Sequence, residues 1–368
     1  MTSAAITVAE SATILDAIRT IDSGGVQIAV VVDEAGILKG VVTDGDVRRG
    51  FLRGLTPDAP LTEIINRQPM IIRPQDSLEL VLQMARQQGL RQIPLVDDGE
   101  RFIDLRLTDP TQASALPNSA VLMAGGLGLR LRPLTDTLPK PLIQLAGKPI
   151  LEIMLEKLVS QGLAQFFVSI NYKADMIESH FGDGGKWGVD IRYLREQKRM
   201  GTAGALSLLP EKPQHPILVL NGDILTSVNI AHMLDYHANL KAALTVGVFV
   251  HEQQVPYGVI EMNGNYISKI REKPVMRHFI SAGVYVLSPE VLDIVGSNDA
   301  LDMPDLITSL IARGQRVAAF PIREYWIDIG HHDDLLRAQR EVGEYFPARM
   351  ETSDTGPAQQ LRGGANDI

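Results

Sequence analysis

Apolar residues recur along this chain in two rhythms, and the rhythms divide it. Near the start, Ile14, Ala17, Ile18 and Ile21 fall three and four apart, the spacing of one helix face. An uninterrupted apolar run at 29–32 follows, then a second one, Gly40-Val41-Val42-Thr43. Leu78, Val81, Leu82 and Ala85 repeat the helical pattern 64 positions on (14 to 78), Gly25 maps to Gly89, and 93–97 repeats the run at 29–33. Each unit therefore predicts helix, strand, strand, short helix, and neither is long enough to bury its own core, so the two pack together. From Ser119 onward the pattern changes: apolar runs at 120–124, 166–170 and 217–220 alternate with amphipathic stretches such as 150–161. That alternation predicts a mainly parallel sheet flanked by helices. The division is 1–112 for the repeat pair (about 1–56 and 57–112), 113–118 for a small, polar linker, and 119–345 for the α/β domain. A polar stretch with scattered Gly and Pro, 346–368, reads as a disordered tail.

Composition narrows the partners. A net charge of −9 without a dense basic block argues against nucleic acid. With no cysteine there are neither disulfides nor thiolate metal ligands, which fits a reducing compartment. The N-terminus lacks a signal pattern and no apolar run reaches membrane-spanning length, so the expectation is a cytoplasmic protein with no membrane partner.

An acidic chain that handles phosphates must gather its positive charge locally, and one segment does so. The run at 120–124 breaks into Gly125, Gly126 and Gly128, followed by Arg130 and by Lys140 between Pro139 and Pro141. Glycines let backbone amides approach a polyanion, and the two cations stand beside them. A Walker loop is excluded because no Gly-Lys-Ser/Thr occurs, and the dinucleotide fingerprint fails at Leu131, where its third glycine belongs. A plain strand-to-loop turn would not call for Arg130, Pro133 and Pro139-Lys140-Pro141 at these offsets.

Gly125-Gly126-Leu127-Gly128-Leu129-Arg130-Leu131 with Pro139-Lys140-Pro141-Leu142 resembles the signature of the sugar-phosphate nucleotidyltransferases, and the likeness continues to about Glu341. It implies a Rossmann-like (GT-A-like), mainly parallel α/β domain. Arg130 and Lys140 would be catalytic, and Gly125, Gly126 and Gly128 would bind nucleotide. The apolar run ending in Asn221-Gly222-Asp223 places Asp223 at the carboxyl end of a parallel strand, where ligands bind in such folds. The resemblance pairs it with Asp328, in Tyr325-Trp326-Ile327-Asp328-Ile329-Gly330, as a Mg²⁺ site between the phosphates. Gly201 and Thr202 would meet the nucleobase, and Thr202 also reads as the N-cap of its own helix. Tyr257, Gly258, Glu272, Lys273, Ser281 and Gly283 would bind the sugar phosphate. Leu129 stands where the family has Thr, and Ser281 where it has Asn. His331-His332 with Asp333-Asp334 could form a transition-metal set, but adjacent helical residues point in different directions.

The N-terminal repeats resemble a pair of cystathionine-β-synthase (CBS) domains, an α+β module that commonly binds adenine nucleotides. In Gly40-Val41-Val42-Thr43-Asp44-Gly45-Asp46, Thr43 would face phosphates and Asp46 the ribose. The second repeat departs, with Thr108-Asp109-Pro110-Thr111 putting Thr111 in the acidic position. A ligand-free pair that only makes a homo-oligomer is the alternative. The resemblances together imply transfer of a nucleoside monophosphate, GMP from GTP foremost, to a mannose-, heptose- or hexosamine-1-phosphate. Thymidylyl, uridylyl and cytidylyl transfer stay open, as does a nucleotide sensor whose transferase domain has lost activity.

Overall fold

The structure is a computed structural model, described here for all residues except 1–5, 25–26, 88–89, 91, 108–114, 297–299 and 347–368. The predicted tail, apart from Phe346, and Thr108–Thr111 of the second repeat fall outside the described residues.

The repeat seen in the sequence is a repeat of elements. Helix Ile14–Gly24 and strands Ile28–Val32 and Leu38–Thr43 return as helix Leu78–Gln87 and strands Gln92–Val96 and Phe102–Leu107, each starting 64 positions later (28 to 92, 38 to 102). The short strand Thr7–Ala9, parallel to the first of these strands, has its counterpart in a parallel bridge from Ile72 to Leu95. The units meet through apolar side chains: buried Ile6, Ile28 and Val41 pack against Phe102 and Leu105 of the other unit. Each unit thus completes the other's core, as expected for chains this short.

In the second domain seven strands form one sheet, ordered Asp190–Arg195, Leu163–Ile170, Leu116–Met123, Ile217–Asn221, Val275–Leu287, Leu244–Gln254, Val317–Pro321. All neighbours are parallel except Val275–Leu287, which runs antiparallel to both strands beside it. The inner strands are apolar on both faces (Val121, Leu218 and Val219 are fully buried) because helices cover both sides.

One boundary differs from expectation. Strand Leu116–Met123 begins inside the predicted linker, so 116–118 belong to the sheet. Leu116 N–H donates to the Gly162 carbonyl (2.8 Å), and the Asn118 side chain donates to the Pro216 carbonyl (2.6 Å). Polar residues that read as linker here make structural hydrogen bonds.

Two strands outrun the sheet. The distal parts of Leu244–Gln254 and Val275–Leu287 are exposed and lead into a hairpin, Val259–Asn263 with Tyr266–Arg271. No helix among the described residues is long and apolar enough to cross a membrane.

Candidate active site

Strand order reverses at Leu116–Met123: the chain goes next to Leu163–Ile170 on one side and later to Ile217–Asn221 on the other. A crevice opens at the carboxyl ends of such a pair. Both ends carry glycine because the backbones approach closely. Gly222 N–H donates to the Met123 carbonyl (2.8 Å), and a Cβ on Gly222 would lie 2.5 Å from that oxygen. Gly128 turns at φ 63°, and a Cβ there would come within 2.8 Å of Thr135 Cγ2. The resulting cleft, about 220 Å³, is lined among others by Gly125, Gly126, Lys140, Gly201, Thr202 and Asp223.

Lys140 and Asp223 meet in this cleft. Lys140, 8% exposed, donates through Nζ to Asp223 Oδ2 at 2.6 Å. Asp328 arrives from a distant part of the chain by strand pairing. Trp326–Asp328 runs antiparallel to Ile224–Thr226 with Ile224 opposite Asp328, and Ile329 N–H donates to the Asp223 carbonyl (2.9 Å). Asp328 does not line the cleft but stands exposed beside Asp223, yet partial enclosure and then the Asp223 charge raise its pKa, opposed by Lys140 and Arg130. Gly330 lies beside both groups: a Cβ there would be in ordinary contact, 3.5 Å from Arg130 Nη1 and 3.6 Å from Asp328 Oδ1. Arg130 Nη1 also lies 3.4 Å from His331 Nε2.

Two carboxylates that repel each other beside two cations form a site where a hard divalent cation would be favoured, completed by phosphate oxygens and water. Asp223 and Asp328 therefore fit Mg²⁺. Among the described residues no group of three or more His, Asp or Glu side chains is arranged to hold a metal. His331 and His332 do diverge, the second contacting the Arg132 carbonyl (3.0 Å).

Gly201 turns at φ 76° with no room for a side chain, since a Cβ would lie 2.6 Å from both the Leu301 carbonyl and Asp302 Oδ1. Thr202 does not cap its own helix, which is only Gly201–Gly204 and has Met200 at its N-cap. Its Oγ1 instead accepts from Met303 N–H (2.8 Å), capping helix Met303–Ala312, while Asp302 Oδ1 accepts from Thr202 N–H (3.1 Å). The helix that Thr202 serves follows it in space, not in sequence.

Sequence reasoning missed Asp302 and gave Glu196 no role, though both line the cleft. An acid immediately before Met303-Pro304 is a helix-start signal that could have drawn attention to Asp302. The Glu196 carboxylate accepts from Ser169 Oγ (2.5 Å) and Met200 N–H (2.9 Å), tying the Gly201 turn to strand Leu163–Ile170.

The sugar-site candidates form a separate group. Tyr257, 73% exposed, and Gly258 face Glu272 and Lys273 across the base of the hairpin. Lys273 N–H donates to the Tyr257 carbonyl (3.2 Å), and a Cβ on Gly258 would lie 2.9 Å from Glu272 Oε2. Among the described residues no hydrogen bond or ion pair joins these four to Lys140 or Asp223. Gly283, at φ 69°, lies behind the cleft against Asn221, which lines it, and Ser281 Oγ bonds the Tyr285 hydroxyl (2.9 Å). In the repeat pair, Thr43 and Asp46 serve each other in a capping box on helix Asp44–Leu52. Thr43 N–H and Oγ1–H donate to Asp46 Oδ2 (2.9 and 2.6 Å).

A parallel sheet with a glycine-lined crevice, a buried lysine and paired aspartates defines a phosphate-handling α/β protein. The nucleotidyl transferase family model matches 119–344, and the chain belongs to that family. A CBS domain model matches 1–53 and 61–105, so a CBS pair precedes the transferase domain. A mannose-1-phosphate guanyltransferase of Yarrowia lipolytica is 34% identical over 224 residues, 59% of this chain and 61% of that protein. A UTP–glucose-1-phosphate uridylyltransferase of Synechocystis is 33% identical over 243 residues, 61% and 63% of the two chains. The solved structure of HddC from Yersinia pseudotuberculosis is 26% identical with a TM-score of 0.49, covering 61% of this chain and 99% of that one. The chain thus spans about three fifths of the length of the curated relatives it matches.

Proposed function

We propose that the protein transfers GMP from GTP to a mannose-type sugar 1-phosphate, giving a GDP-sugar and pyrophosphate. The observation that carries this is the Lys140–Asp223 pair, with Asp328 beside it, at the mouth of a glycine-lined crevice. The reaction needs no nucleophilic side chain. A sugar phosphate oxygen attacks the α-phosphorus, a new P–O bond forms, and the α–β P–O bond breaks as pyrophosphate leaves. Catalysis then rests on position and on neutralising spread negative charge. Amides of Gly125 and Gly126 would take phosphate oxygens, Arg130 the leaving pyrophosphate, and Lys140 the α-phosphate. Asp223 and Asp328 would hold Mg²⁺, which supplies further charge neutralisation when bound. The Gly201–Thr202 turn would meet the guanine edge. Tyr257, Gly258, Glu272 and Lys273 on the arm, with Ser281 and Gly283 beneath, would take the sugar and its phosphate.

GTP and mannose are favoured by the guanyltransferase relatives; heptose- and hexosamine-1-phosphates share the same anchor chemistry. The uridylyltransferase relative supports uridylyl transfer as the second reading. The CBS pair would bind an adenine nucleotide through Thr43 and Asp46, which adjoins an open cavity of about 460 Å³ lined by Arg49 and Arg53, and would join copies of the chain. Such an enzyme belongs in the cytoplasm, where the absence of cysteine is at home. Pyrophosphate release measured over four nucleoside triphosphates and a set of sugar 1-phosphates tests the proposal. Best turnover with GTP and mannose 1-phosphate is expected. UTP as the best donor would replace the guanylyl reading, and no turnover with any pair beside tight adenine-nucleotide binding would make the chain a sensor.

A further inference from the structure

The least exposed charge in the described structure belongs to the CBS pair and is spent on the transferase domain. Arg48, 0% exposed, stands on helix Asp44–Leu52 of the first unit. Its guanidinium donates to three acceptors: Asp44 Oδ2 (2.5 Å) on its own helix, Glu324 Oε1 (2.8 Å), and the Pro321 carbonyl. Its centre lies 3.9 Å over the Phe320 ring. Arg323 answers from the other side, donating to Asp44 Oδ1 (2.7 Å) and Asp22 Oδ1 (3.1 Å), and its own N–H reaches Glu324 Oε2 (3.0 Å). His232 Nδ1 stands 3.7 Å from Asp44 Oδ2. Burial would push the Asp44 and Glu324 carboxyls up; at Asp44 the His232 side chain and then the Arg48 and Arg323 charges outweigh it, at Glu324 the same two guanidiniums do, and both carboxyls lie below the usual range.

This cluster has a position that matters. Pro321 ends the edge strand of the sheet, and 321–324 is the run that leads into strand Trp326–Asp328. Beyond Glu324 that strand is held by the transferase itself. Tyr325 C=O accepts from Thr226 Oγ1 and Ser227 N–H (3.0 Å each), and Trp326 Nε1–H donates to the Ala282 carbonyl (2.8 Å). On its near side Ile322 N–H donates to the Val248 carbonyl (2.8 Å), and Arg48 adds the anchors at Pro321 and Glu324 on either side of that bond. A guanidinium fork can serve three acceptors in fixed directions, whereas an ammonium cannot match that geometry. Removing one partner of such a buried group leaves the others uncompensated, so the run would move rather than keep its place.

We infer that Arg48 is a positioning residue of the transferase: by clamping Pro321 and Glu324 it fixes the entry to the strand on which Asp328 stands. The first CBS unit is then part of the catalytic framework and not only an appended sensor. This rests on the reading of Asp328 as a site residue.

The test uses the full chain in a Trp187→Phe background, which leaves Trp326 as the one tryptophan of two. Arg48→Met, Arg48→Lys, Glu324→Gln and Asp328→Asn are compared by thermal unfolding, by kcat against Mg²⁺ concentration, and by Mg²⁺ titration of Trp326 emission without substrates. Arg19→Met, an exposed change on helix Ile14–Gly24 of the same unit, is the control. Arg48→Met and Glu324→Gln should unfold cooperatively, lose about 5- to 30-fold in kcat, and need more Mg²⁺ in both titrations by a similar factor. Arg48→Lys should not restore them. Should Arg48→Met fail to fold, Glu324→Gln decides the matter. Folded Arg48 and Glu324 variants with unchanged Mg²⁺ titrations beside an impaired Asp328→Asn would overturn the inference alone. An unimpaired Asp328→Asn would overturn the site reading and the inference with it.

Discussion

Replacing Lys140 with Met removes the cation bonded to Asp223 among the described residues while keeping the length of the side chain. At 2.6 Å and an effective dielectric of about 20, the ion pair amounts to about 6 kcal/mol of Coulomb energy. Asp223 is 30% exposed, so solvent screening brings this to roughly half, about 3 kcal/mol. The same ammonium lines the cleft together with the Gly125–Gly126 turn, and losing one preorganised donor of that kind costs about 3–4 kcal/mol in the transition state. The ion-pair figure bears on how firmly the ammonium is held, and the donor figure sets the rate: kcat should fall about 100- to 1,000-fold. If Lys140 acts only as charge builds up, kcat and kcat/KM fall together and KM for the sugar phosphate changes little. Lys140→Arg should not rescue, because at 8% exposure the larger fork has no room and cannot place one charge on Asp223. Steady-state pyrophosphate release, with thermal unfolding to verify the fold, makes the measurement. A folded Lys140→Met protein that keeps more than about a tenth of wild-type kcat would refute the role given to this side chain.

Further outcomes follow from the geometry of the cleft and the domain junction. Gly201→Ala, forced against the Leu301 carbonyl at φ 76°, should cost about 1–3 kcal/mol of stability and raise KM for the nucleotide more than for the sugar phosphate; equal KM changes would remove the turn from the base site. Asp302→Ala loses the acceptor for Thr202 N–H and should cost about 1 kcal/mol while weakening nucleotide binding, as read by calorimetry. The depressed carboxyls of Asp44 and Glu324 contribute stability that is complete above their ordinary values of 3.8 and 4.5 and is lost as pH falls through the lower folded values. Asp22, raised mainly by burial, works with the opposite sign. Stability should therefore fall first as pH drops below about 6.5, where unfolding lets the buried His237 imidazole, held down to about 4 by burial, take up a proton, and again below about pH 4 through Asp44 and Glu324; an Asp44→Asn/Glu324→Gln double variant should lose much of the lower step only. An acid slope equal to wild type would show that these groups are not protonated on unfolding.

What the sequence made legible was whatever depends on near neighbours. The 64-residue repeat, the glycine turn after a buried strand, and an aspartate ending an apolar run are each written within a few residues, and each stands where expected. The meeting of Asp223 with Asp328 is different in kind. It depends on Ile224–Thr226 finding Trp326–Asp328, a short pairing with no periodicity long enough to read, and only family resemblance brought the two together. Thr202 shows the limit from the other direction. A threonine before a helical stretch reads as a cap for that stretch, and the hydroxyl is indeed a cap, but for a helix about a hundred residues away. Leu116–Asn118 read as linker because small polar residues have no apolar rhythm, although Asn118 makes a buried hydrogen bond.

Arg48 and Glu324, 276 residues apart, are the extreme of this rule. In sequence each is one ordinary charge on a polar stretch, and the prior for such a residue is a solvated face. Burial reverses that reading, because a desolvated charge is tolerated only where its partners are fixed. A fork that must satisfy Asp44, Pro321 and Glu324 at once cannot be met by a CBS pair that slides or tilts on the sheet edge. An apolar junction of equal area would hold the domains with less penalty but would accept neighbouring registers. The ionic junction ties the placement of the helix capped by Thr43 and Asp46 to the run that ends at Asp328. A nucleotide bound as proposed to the CBS pair would act on Asp328 through this junction.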